Sequence, residues 1–408
     1  MKKVYLQTFG CQMNEADSEE MMLTLAAKGC TQTDVLKEAD IVLVNTCTIR
    51  EHAEHKALSY LGRLAKWKAE KADRKIIFTG CAAQRLGQKI KKKFPHTDIV
   101  NGAKNIDNFA TVIEKENLFE AEEESVKENQ SKSPIALVNI MRGCSCKCSY
   151  CIVPYVRGEA YSLDPKNILE QVNFALEGGA KEIVLLGQTV NAYSYKGLSF
   201  SKLLREVCSF DKLARLRYLS PHPMFINDEF LQTLKDCPKI ARHIHLPIQS
   251  GSTRILADMK RNYTRQELLA KLKALKEIGI EVSTDIIVGY PKETEEDFND
   301  TLTLCKEAQF SAAYCFKFSP RKGTPAALFK ELDQKIVEKR LDILLNEIKK
   351  SSKAAYKRQE GTRQQVLMEA PTNGRTSNNF WVRTKTKYPV GAIVDLQIKE
   401  SKDTILLA

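Results

Sequence analysis

Three cysteines, Cys144, Cys148 and Cys151, fall within the ten-residue run Arg142-Gly143-Cys144-Ser145-Cys146-Lys147-Cys148-Ser149-Tyr150-Cys151. This C-x3-C-x2-C spacing restricts the chain more than any other feature. Three thiolates so close can hold three irons of a [4Fe–4S] cluster and leave the fourth iron open to a further ligand. Structural zinc sites pair a C-x2-C with a second, distant pair, and the sequence offers none. Cys146 could substitute as a ligand, but only Lys147 separates it from Cys148, too tight for both to share one cluster easily. We expect Cys146 to be a non-ligand.

The surrounding chain alternates strand and helix. Strand-like runs are expected at Ala136–Met141, Glu182–Leu186, Ala214–Leu219, His243–Leu246, Val282–Val288 and Ala312–Phe318. Helices are expected at Pro165–Leu176, Thr264–Ile278 and Thr294–Ala308, and a long charged helix at Gln334–Gln359. Six such units predict a partial (β/α)6 TIM-like barrel, with the cysteine loop at the carboxyl end of its first strand, where barrel active sites form. Upstream, Val4–Phe9, Ile41–Val44 and Ile76–Phe78 alternate with helical stretches at Glu15–Ala27 and Arg50–Lys71, the pattern of a doubly wound α/β domain. Downstream, short strands at Gln365–Met368, Phe380–Arg383, Ala392–Ile398 and Thr404–Leu407, with Thr372-Asn373-Gly374 as a turn, predict a small β-barrel. The boundaries are an N-terminal domain at 1–118, a charged linker at 119–134, a central domain at 135–360 and the β module at 361–408.

Further cysteines follow the N-terminal strands. Cys11 follows the first, Cys47 the second and Cys81 the third, and Gly10 and Gly80 precede two of them. Taken singly, each would be a small buried hydrophobe. At equivalent carboxyl ends of parallel strands, where α/β sheets place ligands, they predict a second three-cysteine site. Cys30, Cys208, Cys237, Cys305 and Cys315 lie in helical or strand patterns and read as packing residues. No apolar run approaches the ~20 residues of a membrane span, and the N-terminus enters a strand at once. A cytoplasmic, reducing setting is expected, where clustered cysteines bind metal rather than form disulfides. The net charge of +12 fits a polyanionic partner, although solubility alone can explain it.

With these residues in hand, the chain resembles the radical S-adenosylmethionine methylthiotransferases along essentially its whole length. The resemblance rests on the C-x3-C-x2-C loop; on Thr8-Phe9-Gly10-Cys11-Gln12-Met13-Asn14 with Asp17-Ser18-Glu19; on Asn45-Thr46-Cys47-Thr48-Ile49-Arg50-Glu51; on Gly80-Cys81-Ala82; and on Cys151-Ile152-Val153-Pro154-Tyr155-Val156-Arg157-Gly158. The β module resembles the RNA-binding TRAM domain. The sequence departs from the family pattern at Cys146, Lys292 and Lys322.

The resemblance implies two [4Fe–4S] clusters, one on Cys144, Cys148 and Cys151 and one on Cys11, Cys47 and Cys81, together with S-adenosylmethionine. The first would generate the adenosyl radical and the second would carry sulfur. Within the family, the words Gln12-Met13-Asn14 and Ile49-Arg50-Glu51 favour the branch that converts N6-isopentenyladenosine-37 of tRNA to its 2-methylthio form. The alternatives are a sister enzyme acting on N6-threonylcarbamoyladenosine-37 or a ribosomal protein, and a non-catalytic iron–sulfur RNA-binding protein. Expected cofactor contacts are Tyr150, Gly187, Gln188, Ser283, Asp285 and Gly289. Ser283 and Asp285 share a strand face by the period of two. Expected RNA contacts, at an anticodon loop, are Arg375, Arg383, Lys385 and Lys387, with one of Phe380 and Trp381 available for stacking and the other in the core. Lys89–Lys93 reads as a solvated helix end, and His243 and His245 as hydrogen-bonded strand residues. The protein is expected to act as a monomer, with an electron donor and a sulfur or cluster supply as partners and no membrane.

Overall fold

The computed structural model describes residues 1–49, 51–116, 118 and 133–408, so all but Ser133 and Pro134 of the expected linker lies outside the described residues. The chain divides into two compact units. The first comprises Met1–Gln130 with Arg142–Ser145 and Ile152–Ala160, and the second Ser131–Met141, Cys146–Cys151 and Tyr161–Ala408. The division therefore runs through the cysteine loop, and the β module joins the second unit.

In the first unit, strands β1 (Lys3–Phe9), β2 (Thr31–Gln32), β3 (Ile41–Thr46), β4 (Lys75–Gly80) and β5 (Ile99–Gly102) form a parallel sheet in the order β2-β1-β3-β4-β5. Every residue of β3 is buried, as a central strand covered on both faces requires. Alternation divides the apolar side chains. Val4, Ile41, Leu43, Ile77 and Ile99 pack beneath helices α1 (Gln12–Ala27) and α5 (Phe109–Lys115). Val42, Val44, Ile76 and Phe78 pack beneath α2 (Glu51–Ala69). Short helices α3 (Cys81–Leu86) and α4 (Lys89–Lys93) follow β4, and Val156 of α6 (Val153–Arg157), with Ile152 just before that helix, joins a cluster with Cys81, Ala103 and Ile106. The register aligns Phe9 with Thr46 and Thr46 with Gly80, so the three cysteine-bearing strands end level.

In the second unit, six parallel strands occur in chain order: β6 (Ile135–Asn139), β7 (Glu182–Leu186), β8 (Arg215–Tyr218), β9 (His243–His245), β10 (Glu281–Val288) and β11 (Ala312–Lys317). They form two three-stranded sheets, β8-β7-β6 and β9-β10-β11, linked by a bridge between Leu216 and Ile240. Helices α7 (Pro165–Glu177), α8 (Phe200–Cys208), α9 (Asp228–Asp236), α10 (Arg265–Glu277) and α11 (Glu295–Ala308) connect them, and α12 (Gln334–Lys357) leads out. Among the described residues no helix is long and apolar enough to cross a membrane.

The C-terminal sheet comprises β12 (Arg363–Ala370), β13 (Asn373–Thr376), β14 (Trp381–Arg383), β15 (Ile393–Gln397), β16 (Glu400–Lys402) and β17 (Ile405–Leu407), in the order β15-β12-β13-β14-β17-β16. The expectation of a turn at Thr372-Asn373-Gly374 is corrected here: Asn373 and Gly374 belong to β13. The register shift between Met368 and Ala370 brings the reversal forward, and a Cβ on Gly374 would meet the Leu367 carbonyl at 2.4 Å. Glycine marks this position as a close strand approach rather than a turn. The sheet docks on the amino ends of β8 and β9. Arg215 Nη1 donates to the carbonyls of Arg375 and Thr376 at 3.1 and 3.3 Å, and the Arg242 amide donates to Ser377 Oγ at 3.1 Å.

Candidate iron–sulfur sites

The level strand ends bring Cys11, Cys47 and Cys81 together within the first unit. The Cys11 and Cys47 thiols hydrogen-bond, and this bond, reinforced by burial, pushes the Cys11 pKa well above the usual thiol value. Burial also raises the Cys81 pKa, against the pull of the nearby Arg157 guanidinium. Cys47 Sγ accepts the Ile49 amide at 3.3 Å. Without metal Cys11 and Cys81 thus favour the neutral thiol, and binding a metal centre there would release protons.

Two asparagines absent from the expected site residues build its floor. Asn14 Oδ1 lies 3.4 Å from the Cys11 amide and 3.3 Å from its sulfur. Asn14 Nδ2 donates to Asn45 Oδ1 and to the Thr46 carbonyl, while Asn45 Nδ2 donates to the Asn14 carbonyl and to Ser18 Oγ. Both asparagines are fully buried, where each amide must find partners. They also explain the paired glycines. A Cβ on Gly10 would meet Asn14 Oδ1 at 2.5 Å. Gly80 has φ +95°, and a Cβ there would meet Asn45 Oδ1 at 2.4 Å.

A buried charge group adjoins the thiols. Asp17, on α1, receives Arg142 Nη1 at 2.5 Å and Arg157 Nη2 at 2.8 Å. Arg157 Nε donates to Cys81 Sγ at 3.2 Å. Arg142 also pairs with Glu20 and Asp107. Burial alone would lower the Arg157 pKa; Asp17 and then Cys81 and Cys11 outweigh it, so the pKa is raised and the guanidinium stays charged. Asp17 and Arg157 stood inside motif words, but no local rule singled them out, because their pairing spans 140 positions.

The cysteine loop is divided between the units: Cys144 belongs to the first, Cys148 and Cys151 to the second. In the first, the Cys144 amide donates to the Gly158 carbonyl at 3.0 Å. In the second, Ser149 seats the loop: its amide donates to Met259 O at 3.1 Å, and its hydroxyl donates to Asp258 O at 2.8 Å and lies 2.9 Å from the Tyr290 hydroxyl. Arg261 Nη1 lies 3.8 Å from Cys148 Sγ, so each cysteine set has an arginine at one of its sulfurs. Cys146 Sγ lies 3.9 Å from Thr189 Oγ1, turned toward the segment after β7.

The expected cofactor contacts are placed unevenly. Tyr150 packs against a cluster of Ile255, Met259, Tyr290, Phe318 and Ala326, and burial holds its pKa well above the usual phenol value. A Cβ on Gly187 would meet Met141 at 2.5 Å, and one on Gly289 would meet Val337 at 2.5 Å. The Gly289 amide donates to Glu293 Oε2. Gln188 keeps a buried Oε1 without a hydrogen bond. Ser283 Oγ bonds His243 Nε2 at 3.0 Å and His245 Nδ1 at 2.9 Å, and Asp285 lies 3.4 Å from His245 Nε2. The two histidines are thus hydrogen-bonded strand residues. Burial, then Arg217, holds the His243 pKa well below the usual imidazole value. In the β module Phe380 is buried while Trp381 is 45% exposed beneath the Arg375 guanidinium. Arg375 also pairs with Glu369, Arg383 bonds Asn373, and Lys385 and Lys387 are exposed.

Among the described residues no group of three His, Cys, Asp or Glu side chains is arranged to hold a single metal ion. The converging Cys11, Cys47 and Cys81 thiols, with a cationic donor at one sulfur, fit a larger centre: iron–sulfur clusters take thiolate ligands and are tuned by hydrogen bonds to sulfur.

Comparison with known proteins gives consistent results. Residues 3–102 match the model of "Uncharacterized protein family UPF0004", and residues 138–305 match that of the "Radical SAM superfamily". The chain is 39% identical over 407 residues to the tRNA-2-methylthio-N(6)-dimethylallyladenosine synthase of Endomicrobium trichonymphae, covering 97% of each chain. It is 41% identical to the protein of that name from Clostridium novyi, covering 98% of this chain and 94% of the relative. The Wolinella succinogenes protein of that name is 39% identical, with 100% of this chain and 99% of the relative covered. Among solved structures, the radical S-adenosylmethionine methyltransferase TsrM of Kitasatospora setae superposes with a TM-score of 0.61 at 14% identity, over 80% of this chain and 77% of that one. The cobalamin-dependent radical enzyme OxsB gives 0.53 at 12% identity, over 85% and 56%. These two likenesses speak to the radical S-adenosylmethionine α/β fold alone.

Proposed function

The chain belongs to the tRNA-2-methylthio-N(6)-dimethylallyladenosine synthase family, and from that premise we propose that it adds a methylthio group to C2 of N6-isopentenyladenosine-37 in tRNA, using two [4Fe–4S] clusters and S-adenosylmethionine. The family accounts for one cluster, S-adenosylmethionine and tRNA. The meeting of Cys11, Cys47 and Cys81 in a buried, arginine-flanked site carries the second. End-to-end relatives of one name favour the isopentenyl substrate over threonylcarbamoyladenosine or a ribosomal protein, and an enzyme over a passive RNA binder.

In this reading Cys144, Cys148 and Cys151 hold the cluster that binds S-adenosylmethionine, and Cys11, Cys47 and Cys81 hold the sulfur-carrying one. Bound together, these groups supply one-electron cleavage of the sulfonium C–S bond, hydrogen-atom removal from the adenine C2–H, a sulfur atom and a methyl group. The protein's part is placement. Arg261 and Arg157 each approach a cysteine sulfur, and Ser149 anchors the second-unit part of the loop. Gln188, with its unbonded buried carbonyl, and the Ser283–His245–Asp285 group remain available to S-adenosylmethionine. Tyr150, Gly187 and Gly289 would then support the pocket from behind.

The six strands of the second unit read as a partial (β/α)6 barrel, the first-unit sheet as a doubly wound α/β domain and the C-terminal sheet as a TRAM-like module, with domain boundaries at 118, 134 and 360. Arg375, Arg383, Lys385 and Lys387 would meet phosphates, and Trp381 would stack a base. The target adenine must leave its stack to react, which suits an anticodon loop. A cytoplasmic monomer served by an electron donor and a sulfur or cluster supply completes the reading. The test pairs two triple variants. Cys11/Cys47/Cys81→Ala should still release 5′-deoxyadenosine with dithionite and form no 2-methylthio product, whereas Cys144/Cys148/Cys151→Ala should fail at both. Sulfur insertion by the first variant would sink the assignment.

A further inference from the structure

The guanidinium of Arg157 carries two donors on one edge, and the structure uses both. Nη2 meets Asp17 Oδ2 at 2.8 Å and Nε meets Cys81 Sγ at 3.2 Å. Asp17 is itself held from the other side by Arg142, whose remaining charge is answered by Glu20 and Asp107. The position of Asp17 therefore fixes where Arg157 points. A lysine could match the charge but not the fork, because an ammonium on a flexible stem does not span two fixed acceptors in one plane. The group is nearly water-free: Asp17 is 0% and Arg157 6% exposed, and charge acts strongly at such a site.

We propose that Arg157 is a positioning residue for the Cys11/Cys47/Cys81 centre, its N–H to the Cys81 sulfur setting the potential at which that centre accepts an electron. This rests on the reading of those cysteines as ligands of a cluster. Adding one electron makes the cluster and its thiolates more negative. A cationic N–H donor at one sulfur stabilises the reduced form more than the oxidised one and raises the potential. Asp17 tempers this effect only in part, since its other oxygen serves Arg142.

The experiment uses the full chain carrying Cys144/Cys148/Cys151→Ala, so that one cluster remains, reconstituted with iron and sulfide without oxygen. Dithionite supplies the electron, and the reduced cluster is followed by electron paramagnetic resonance across a potential titration. The parent should bind about four irons. Arg157→Gln should also bind about four but be reduced at a potential lower by ~59 mV or more, a tenfold change in the one-electron equilibrium. Arg157→Lys should fall between them. Unchanged potentials in both variants would overturn the proposal. So would failure of either variant to fold or to retain iron, which would make Arg157 a scaffold residue. A parent that binds no iron would instead refute the cluster reading itself.

Discussion

Asp17→Ala deletes a carboxylate that two buried guanidiniums share, so its cost can be reasoned from the contacts that remain. Removing one partner of a buried ion pair costs about 3–5 kcal/mol, because the other charge stays behind unpaired. Arg142 is cushioned by Glu20 and Asp107, both partly open to water. Arg157 is left with Cys81, a thiol whose pKa is raised in the metal-free site. The penalty should therefore fall mainly on Arg157 and sit near the lower end, about 3 kcal/mol. The assay is urea unfolding of iron-free protein. The two tryptophans make it local: Trp67 is buried in the first unit and Trp381 lies in the second. In a Trp381→Phe background, fluorescence reports the first unit. Asp17→Ala/Arg157→Met should recover part of the loss, since apolar replacement of a buried pair is often neutral or better. A loss under ~1 kcal/mol, or a double variant weaker than Asp17→Ala, would refute the assignment of the cost to an unpaired Arg157.

Three further outcomes are expected. Cys146→Ser should keep its iron and still cleave S-adenosylmethionine, because Cys146 faces Thr189 and three other cysteines meet the need; loss of the radical-generating cluster would reassign the ligands. Burial, aided by Arg261 and Lys271, lowers the His222 pKa to about 2. The unfolded histidine binds a proton below about pH 6.5 that the folded one refuses, so stability should rise with pH from about 2 to 6.5 by up to ~1.4 kcal/mol per unit and gain nothing more from His222 above that. His222→Asn should flatten this slope, and an unaltered urea-midpoint profile between about pH 4.5 and 6 would count against it. Trp381→Ala should weaken binding of an anticodon-stem RNA about 5- to 150-fold, the worth of one stacked base, with the unfolding midpoint unmoved; equal affinity would remove Trp381 from the interface.

Local periodicity carried most of the fold. The six expected strands of the second unit appear within two residues of their expected ends, because each is a short run set off by helical stretches and turn residues on either side. The convergence of Cys11, Cys47 and Cys81 was legible because strand ends in a parallel sheet share one edge, and the register makes them level. Other features depended on tertiary facts. The bulge in β12 moved a turn forward and turned Asn373-Gly374 into strand. Asn14 and Asn45 sit in the motif words, yet their interlocked amides are invisible until the strands are side by side. Arg157 reads locally as the end of a short helix; only the folded chain shows it between a carboxylate and a sulfur. A Cβ on Gly187 would strike Met141 and one on Gly289 would strike Val337, packing demands that no local pattern announces.

The way the first unit is assembled has a consequence for synthesis. Its sheet and flanking helices are encoded by residue 115, but Asp17 and Cys81 await Arg142 and Arg157, and the cluster of Cys81, Ala103 and Ile106 awaits Ile152 and Val156. A nascent chain therefore carries the Asp17 carboxylate without its full set of cations for some 40 further residues, about 2–8 s at ordinary elongation rates. During that interval Cys81 lacks Arg157, Ile152 and Val156, so its thiol should be more accessible than in the finished fold. Ribosome-bound chains stalled before residue 142 should be more readily alkylated at Cys81 than chains stalled well past residue 160. The first-unit cysteine site is thus complete only once the segment that carries the other cysteine triplet has been translated.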